Sequence, residues 1–275
     1  MNGKNISESH KSQVFNLLSA VLSAAADEKK IRTNPCKTKG VKKPVPDKRK
    51  ITPWTEGRLR KMQLSLPSRQ FVVIPLGSGL GLRQGEILGL SPDDIDRHQM
   101  TAHVDRQLAY VGNRPLFKLP KGRKTRTVPI SRGLLEVIDD YLEAHPPVTI
   151  TLPWGKTTGD PVSVRLLIVN DAGGVDPGDA FHRRHWLPAF TRAGLTYVPG
   201  NDGMHALRHF YASTLLAQGV TIKELADYLG HTDPGFTLRT YTHLLPSSHE
   251  QARRAVDSVF KPRRPEKVVS GPGTA

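Results

Sequence analysis

The chain contains 275 residues, of which 37% are hydrophobic and 24% charged, a composition that suits one fair-sized domain with appendages. No apolar run approaches the roughly 20 residues that a membrane span needs, and the first residues lack the basic and then apolar order of a secretory signal, so a cytoplasmic protein is expected. The single cysteine, Cys36, excludes an internal disulfide and a cysteine-based metal site.

The charge of the chain is strongly positive. Lys and Arg number 40 against 25 Asp and Glu, which gives a formal net charge of +15. Such an excess favours a polyanionic partner, because each phosphate that a basic side chain neutralises releases a counterion. Nucleic acid is the first prediction, and a membrane-surface or ribosomal protein fits the charge equally well.

Two segments precede the main domain. From Ser12 to Ile31 the apolar residues recur at spacings of three and four, which predicts a helix with one buried stripe. Residues 36–51 are basic and contain Pro44 and Pro46, which favour an extended path, so they are predicted to form a linker. The charge of this linker fits a solvated tether and a strap along a DNA backbone equally well.

The main domain is predicted to begin at Thr52 and to mix helices with short strands. The glycines between Gly77 and Leu90 indicate a tight, close-packed turn. Alternating segments over 101–130 predict one small antiparallel sheet. Residues 149–178 are rich in Gly and Pro and give no clear prediction. Helices are predicted over 55–64, 68–76, 131–142 and 179–194, the last of them capped by Asp179.

The last third of the chain predicts a run of short helices. The first covers 204–218, and the second begins at a capping box and ends at Gly230. The third begins with the Asp-Pro pair at position 233 and runs through Tyr241. These helix breaks are expected to bring His231 near Tyr241.

Four motifs carry the polar residues that suggest chemistry. They are GLRQGE with Arg83, a turn with Lys121, MHALRH with His205 and Arg208, and LGH followed by TLRTYTH with His231 and Tyr241. The set is rich in hydrogen-bond donors, and guanidinium groups match phosphate oxygens two at a time. Because His205 and Arg208 are three residues apart, they share a helix face. A phosphate-binding site is therefore predicted.

The histidines also suggest a metal site, since His205 and His209 are four residues apart, as in zinc-binding helices. However, no acidic residue lies between them, and Arg208 would repel a dication. Neither a metal nor a cofactor is therefore predicted.

Taken in order, the four motifs resemble the signature of the tyrosine recombinases of the phage integrase family, and the resemblance covers Thr52 to Phe260. It implies an α+β fold that is mainly α with a small antiparallel β-sheet, as in the DNA breaking-rejoining enzymes. It also implies a site-specific recombinase that cleaves and rejoins double-stranded DNA through a 3′-phosphotyrosyl intermediate. Such an enzyme is expected in the cytoplasm, associated with the bacterial nucleoid.

The resemblance assigns a role to each site residue. The tyrosine attacks the scissile phosphate, and the two arginines with His231 stabilise its non-bridging oxygens. The lysine protonates the departing 5′ oxygen, and His205 assists proton movement at the tyrosine. The implied catalytic set is Tyr241, Arg83, Lys121, His205, Arg208 and His231, supported by Glu86 and His209.

Lys121 is chosen as the lysine because it lies beside Gly122 at the predicted hairpin turn, and Lys118 and Lys124 stay open as alternatives. The candidate DNA-binding residues are the basic side chains of the linker and those near the motifs. They are Lys42, Lys43, Lys48, Arg49, Lys50, Arg123, Lys124 and Arg239.

The amino-terminal part departs from the family pattern. Family members usually carry a helical domain that clamps the other face of DNA, and residues 1–35 resemble only its last part, a truncated remnant. We expect residues 36–51 to be the linker, 52–260 the catalytic domain and 261–275 a disordered tail. The final helix, capped at Ser247, either packs on its own domain or docks on a neighbouring subunit of a tetramer on paired DNA sites.

Two other functions stay open. A truncated remnant would bind DNA without cutting it, and so would form no covalent adduct. An enzyme resembling the type IB topoisomerases would use the same tyrosine chemistry to relax supercoils without paired sites.

Overall fold

The computed structural model describes residues 6–46, 51–176, 179–244 and 249–260. The chain divides into two compact units, Met1–Lys50 and Ile51–Ala275. Within the described ranges, no helix is long and apolar enough to cross a membrane. The predicted disordered tail, residues 261–275, lies outside the described residues.

The first unit is built on one long helix, α1 (Glu8–Asp27), whose first turn is capped by the Ser7 hydroxyl. It begins and ends four residues earlier than predicted, because this cap lies before the apolar pattern starts. After α1 the chain folds back, and the Asn34 amide donates to the Ser23 hydroxyl at 2.8 Å. The predicted stripe is not buried, because no other helix in the described part of this unit covers it. Its exposed members are Val14, Leu17, Leu18 and Val21.

The second unit is mainly helical, as the predicted fold class requires. Within the described ranges its helices are α2 (Glu56–Ser65), α3 (Val73–Leu80), α4 (Gln84–Leu88), α5 (Arg132–Ala144), α6 (Leu187–Arg192), α7 (His205–Ala217), α8 (Ile222–Leu229), α9 (Pro234–Tyr241) and α10 (His249–Val259). A π-helical segment, His182–Trp186, leads into α6.

The capping signals placed several helices correctly. Thr221 and Glu224 form the predicted capping box of α8, and α7 and α9 lie at the predicted positions. The helix predicted over 68–76 begins only at Val73, because the residues after Pro67 form turns bonded to the Pro67 carbonyl. Residue 247, the predicted cap of α10, lies outside the described residues.

The predicted cap at Asp179 is wrong. Its carboxylate pairs with the Arg183 guanidinium at 2.8 Å, and its backbone oxygen accepts from the Arg183 N–H. The side chain of Asp179 is therefore used in an exposed ion pair one turn along the chain, and it does not bind the first N–H groups of the helix.

The strands form three antiparallel sheets where one was predicted. They are β1 (Ile95–Asp96), β2 (Thr101–Val104) and β5 (Arg126–Pro129) in the order β1-β2-β5, the hairpin of β3 (Gln107–Val111) and β4 (Arg114–Lys118), and the hairpin of β6 (Val148–Pro153) and β7 (Pro161–Leu166). The first two separate at Arg106, whose guanidinium turns back to the Asp94 carboxylate at 2.7 Å. The last hairpin lies largely within the Gly- and Pro-rich stretch for which no clear prediction was possible.

The glycine-rich stretch is a helix end and not only a turn. Gly77 and Gly79 lie within α3, and a Cβ atom on Gly77 would come within 2.6 Å of the Leu207 side chain. The glycine therefore permits α3 to pack closely on α7. Gly81 ends α3 with φ of +62°, a conformation that other residues rarely adopt, and so directs the chain toward Arg83.

A buried carboxylate fixes the loop that leads into α7. Asp202 accepts hydrogen bonds from the Trp54 indole at 2.9 Å and from the Arg58 guanidinium at 2.8 Å. Its backbone oxygen accepts from the Trp186 indole at 2.7 Å, and the two indole rings stack at 5.9 Å between centroids. Because Asp202 lies three residues before His205, this cluster sets where α7 begins.

Candidate active site

An open pocket of about 530 Å³ lies where α7, α8, α9 and the loop before α4 meet. Its lining includes five of the six residues of the predicted catalytic set. The lining residues, hereafter the cationic pocket, are Arg83, Lys121, Gly122, His205, Arg208, Gly230, His231, Thr232, Asp233, Phe236 and Arg239. Four cations and one carboxylate thus surround one cavity, which suits an anion.

Arg83 is held by a shared carboxylate. Its guanidinium donates to Glu86 Oε1 at 2.9 Å, and its backbone N–H donates to Glu86 Oε2 at 2.8 Å. The same two oxygens accept from the Arg126 guanidinium at 3.1 and 2.7 Å. Burial alone raises the pKa of Glu86, but the hydrogen bonds and charges of Arg126 and Arg83 outweigh it and lower that pKa to about 2. Glu86 therefore stays ionised at neutral pH.

Arg208 is a buried guanidinium whose hydrogen bonds go to uncharged acceptors. It is 1% exposed, so only an edge of the group reaches the cationic pocket. It donates to the backbone oxygens of Gly81, at 2.8 Å, and of Leu229. Among the described residues no carboxylate pairs with it, and burial followed by the charge of Arg83 lowers its pKa. A buried cation without a counter-ion is expected to attract an anion.

His231 is oriented by a partner on each ring nitrogen. Nε2 lies 3.0 Å from the Arg208 guanidinium, which can only donate, so Nε2 accepts and Nδ1 carries the hydrogen. Nδ1 lies 2.6 Å from the hydroxyl of Thr237. Burial, and then the charges of Arg208 and Arg83, lower the pKa of His231 to about 4, which keeps the ring neutral at pH 7.

Tyr241 lies beside the cationic pocket and not in its lining. Its side chain is 1% exposed, and its hydroxyl lies 2.8 Å from His209 Nδ1. Burial raises the pKa of Tyr241 to about 12, although the charges of Arg208 and Arg83 oppose the increase. The tyrosine contact is made by His209 and not by His205, to which the family resemblance gave that role.

The two histidines of α7 face each other. Their rings meet edge to face at 5.0 Å between centroids, and His205 also lines the cationic pocket. Burial lowers the pKa of both rings, and so do the neighbouring charges, chiefly that of Arg208 for His205. Within the described ranges, no three His, Cys, Asp or Glu side chains come together as a metal site would require.

The structure distinguishes the three candidate lysines. Lys121 lines the cationic pocket, whereas Lys118 does not, and Lys124 lies 3.5 Å from the carboxylate of Asp227. The predicted hairpin turn is wrong, because β4 and β5 belong to different sheets. Lys121 therefore lies on a connection between two sheets, which carries it to the cationic pocket.

The predicted DNA-binding residues fall in different places. Arg239 lines the cationic pocket but is paired with Asp233 at 2.9 Å, and Arg123 lines a neighbouring cavity with Lys121. In the first unit, two predicted residues are exposed and three lie outside the described residues. The exposed ones are Lys42 and Lys43, and the others are Lys48, Arg49 and Lys50.

Sequence reasoning missed Arg126 and Thr237. Arg126 and Val128 are the two buried residues of β5, and they alternate with exposed ones. A charged residue at a position where this alternation requires an apolar one was the signal that could have identified Arg126. Thr237 is fully buried in α9, six residues after His231, and a lone threonine in a helix carries no comparable signal.

Comparisons with known proteins agree with this geometry. A sequence model of the phage integrase family matches residues 59–248. A XerC-like tyrosine recombinase of Caldanaerobacter subterraneus subsp. tengcongensis is 27% identical over 261 residues, which are 89% of this chain and 65% of that protein. Tyrosine recombinase XerC of Agrobacterium fabrum is 28% identical over 208 residues, or 76% of this chain and 56% of that protein.

Solved structures show the same fold. The Tn1549 transposon integrase in complex with a circular intermediate DNA aligns with a TM-score of 0.70 at 19% identity, over 94% of this chain and 82% of that one. The fold is therefore that of a tyrosine recombinase catalytic domain. The chain spans 65% and 56% of the two curated relatives, so it corresponds to part of their length.

Proposed function

We propose a function for this chain, which belongs to the phage integrase family, since the sequence model of that family matches residues 59–248. On that premise it is a tyrosine-type DNA strand transferase. We propose further that it is a site-specific recombinase, which cleaves and rejoins double-stranded DNA through a 3′-phosphotyrosyl bond to Tyr241. The relatives named above are tyrosine recombinases and an integrase solved with DNA, which supports this choice.

The observation that carries the proposal is the buried Arg208 guanidinium, which has no carboxylate partner among the described residues and borders an open cavity. A DNA phosphodiester is an anion that the cavity has room to admit, and Arg83 lines the same cavity from a second element. Charge grows on the non-bridging oxygens as the phosphorus becomes five-coordinate, and two fixed guanidiniums stabilise that charge without reorganising.

The reaction is a transesterification, in which the Tyr241 oxygen forms a bond to phosphorus and the bond to the 5′ oxygen breaks. The phenol must lose a proton, and the 5′ oxygen must gain one. We propose that His209, whose Nδ1 lies 2.8 Å from the hydroxyl, takes the first proton. Lys121 lines the cavity and is assigned to deliver the second. No water enters the balance, so the phosphotyrosyl bond keeps the energy for rejoining.

Two steps must precede attack. Because Tyr241 does not line the cationic pocket, the end of α9 must bring its hydroxyl to the phosphate. Because His231 Nε2 accepts from Arg208, it can donate to a phosphate oxygen only after it takes a proton or exchanges partners. The step at His231 is expected when the bound phosphate adds a negative charge next to the ring and attracts the donors of Arg208.

We also propose that the active assembly is a tetramer on two DNA duplexes. In α10 the described apolar side chains Val256 and Val259, and Phe260 next to them, are exposed, which supports docking on a neighbouring subunit. The basic residues Lys42, Lys43 and Arg123 are proposed to contact the DNA backbone, since they are exposed cations.

The test uses a nicked suicide duplex that contains the attachment site from the genomic flank of the gene. Cleavage next to the nick releases a short strand, so the protein is trapped on the DNA and appears as a denaturation-resistant band. The wild-type chain should form this band, and Tyr241→Phe should form none while it shifts DNA as strongly as wild type.

A DNA shift without any wild-type band would indicate a non-cleaving DNA-binding protein. Bands on unrelated duplexes, with supercoil relaxation, would indicate an activity similar to type IB topoisomerases. Either result would reject the recombinase proposal.

A further inference from the structure

Arg126 is a buried charge that the proposed reaction does not use. It lies in the inward phase of β5, is 9% exposed and does not line the cationic pocket. Removing such a charge from water is costly unless its partners compensate, so its contacts should explain its place.

Those contacts join two separate walls of the site. Two guanidinium nitrogens of Arg126 bind both Glu86 oxygens, and Glu86 in turn holds Arg83. The third nitrogen, Nε, donates to the backbone oxygen of Tyr228 at 2.6 Å, near the end of α8. Gly230 packs on the same side chain, since a Cβ atom there would lie 3.0 Å from Arg126 Cδ. The loop that carries His231 follows directly.

The charge balance of this cluster depends on Arg126. One carboxylate, that of Glu86, is shared by two guanidiniums, so the trio keeps one net positive charge. Without Arg126, the Glu86 carboxylate would be opposed by Arg83 alone. The charge that Arg83 presents to the cavity would then be largely cancelled, even with Arg83 in place.

We propose that Arg126 is a positioning residue that keeps the positive charge of Arg83 available to the phosphate and holds the His231 loop beside it. This inference rests on the proposed function, because it assumes that the cationic pocket binds a phosphodiester. The role is electrostatic as well as structural, and this separates it from an ordinary buried ion pair.

The experiment measures two quantities on the full chain. The first is the affinity for inorganic phosphate, measured by calorimetric titration, and the second is the rate of adduct formation on the nicked duplex. Arg126→Met, which keeps the side-chain length without the charge, should weaken both about tenfold or more, as expected when Glu86 largely cancels the positive charge that Arg83 presents to the phosphate. Arg126→Lys should recover part of the phosphate affinity, because its charge remains.

The decisive variant is the double substitution Glu86→Gln with Arg126→Met. It removes one negative and one positive charge, so the trio again carries one net positive charge. Phosphate affinity should therefore rise above that of Arg126→Met alone. A purely structural role predicts the opposite, because a second set of hydrogen bonds is lost.

Arg106→Met is the matched control. Arg106 is partly buried, with a side chain 12% exposed, and is bound to a buried carboxylate, Asp94, but does not line the cationic pocket. It should keep the wild-type phosphate affinity and adduct rate. The inference is overturned if Arg126→Met behaves like this control, or if the double variant binds phosphate more weakly than Arg126→Met. A wild type that binds phosphate but forms no adduct rejects the recombinase proposal, while the phosphate series still decides the role of Arg126.

Discussion

The arginine side and the tyrosine side of the site are prepared to different degrees. Arg83 and Arg208 are fixed by short hydrogen bonds to Glu86, Gly81 and other groups and line the cavity. Tyr241 is just as well fixed, but by His209 and outside the lining. If the proposed function holds, the difference predicts that the anion site exists before DNA binds and that the tyrosine reaches it afterwards.

The largest effect should come from the arginine side. Arg208→Lys keeps a charge but cannot bind two backbone carbonyls and a phosphate together, so the adduct rate should fall by about 10²- to 10³-fold. A gel series on the nicked duplex measures the rate, and a filter-binding assay measures DNA affinity. If the adduct rate falls only as much as the DNA affinity, Arg208 contributes to DNA binding alone, and the arginine side is not specialised for the reaction.

The tyrosine side is tested with His209→Gln. Loss of the proton acceptor should slow adduct formation by about 100-fold at saturating DNA, which is the lower range for acid–base catalysis. His205→Gln gives the comparison, since His205 does not contact the tyrosine hydroxyl. A faster His209→Gln variant would mean that the histidine only restrains Tyr241 and takes no part in proton transfer.

The pH dependence of the free energy of unfolding gives a further test of the tyrosine side. Burial, then the charges of His205, Arg208 and His231, lower the pKa of His209 to about 3, so the unfolded chain takes up its proton first as the pH falls below about 6.5. The contribution of His209 to the free energy of unfolding should therefore be constant above that pH and fall as the pH drops toward 4. The contribution of His209 should be about 1 to 2 kcal/mol between pH 7 and pH 5.

Urea unfolding at several pH values measures this loss. In His209→Gln the stability curve should be flatter between pH 7 and pH 5, because that proton-binding group is gone. A curve that keeps its slope would show that other groups account for the loss in acid.

The smallest effect is expected at Thr237. Thr237→Val removes the hydroxyl that fixes His231 Nδ1, and a single neutral hydrogen bond corresponds to about a fivefold change in adduct rate. Thr127→Val is the control, because Thr127 makes a similar contact at 3.0 Å with His103, which is exposed. Equal rates for the two variants would show that the orientation of His231 is unimportant.

The sequence predicted best what local chemistry decides. Capping residues such as Thr221 and Asp233 define helix ends within a few residues of chain, so α8 and α9 were placed correctly. The motif order also identified side chains that the fold brings to one cavity. Arg83 and Arg208 are far apart in the chain, and the chemistry of their motifs and the resemblance to a family linked them before the structure did.

Features that depend on distant partners were not predictable. The division of the strands into three sheets follows from Arg106 turning back onto Asp94, which no periodicity reveals. The glycine at position 77 is required because the Leu207 side chain packs where a Cβ atom would lie. The contact between His209 and Tyr241 likewise depends on how α9 lies on α7, so the spacing within MHALRH could not show which histidine contacts the tyrosine.

The Asp202 cluster sets a limit for anyone who prepares the second unit alone. A fragment that starts after Trp54 would lack the indole that donates to Asp202 and stacks on Trp186. One carboxylate oxygen of Asp202 would then be left without that hydrogen bond in a dry interior. The end of such a fragment would also loosen the entry to α7. Expression clones for crystallisation should therefore begin upstream of residue 52, even though the reacting groups all lie far beyond it.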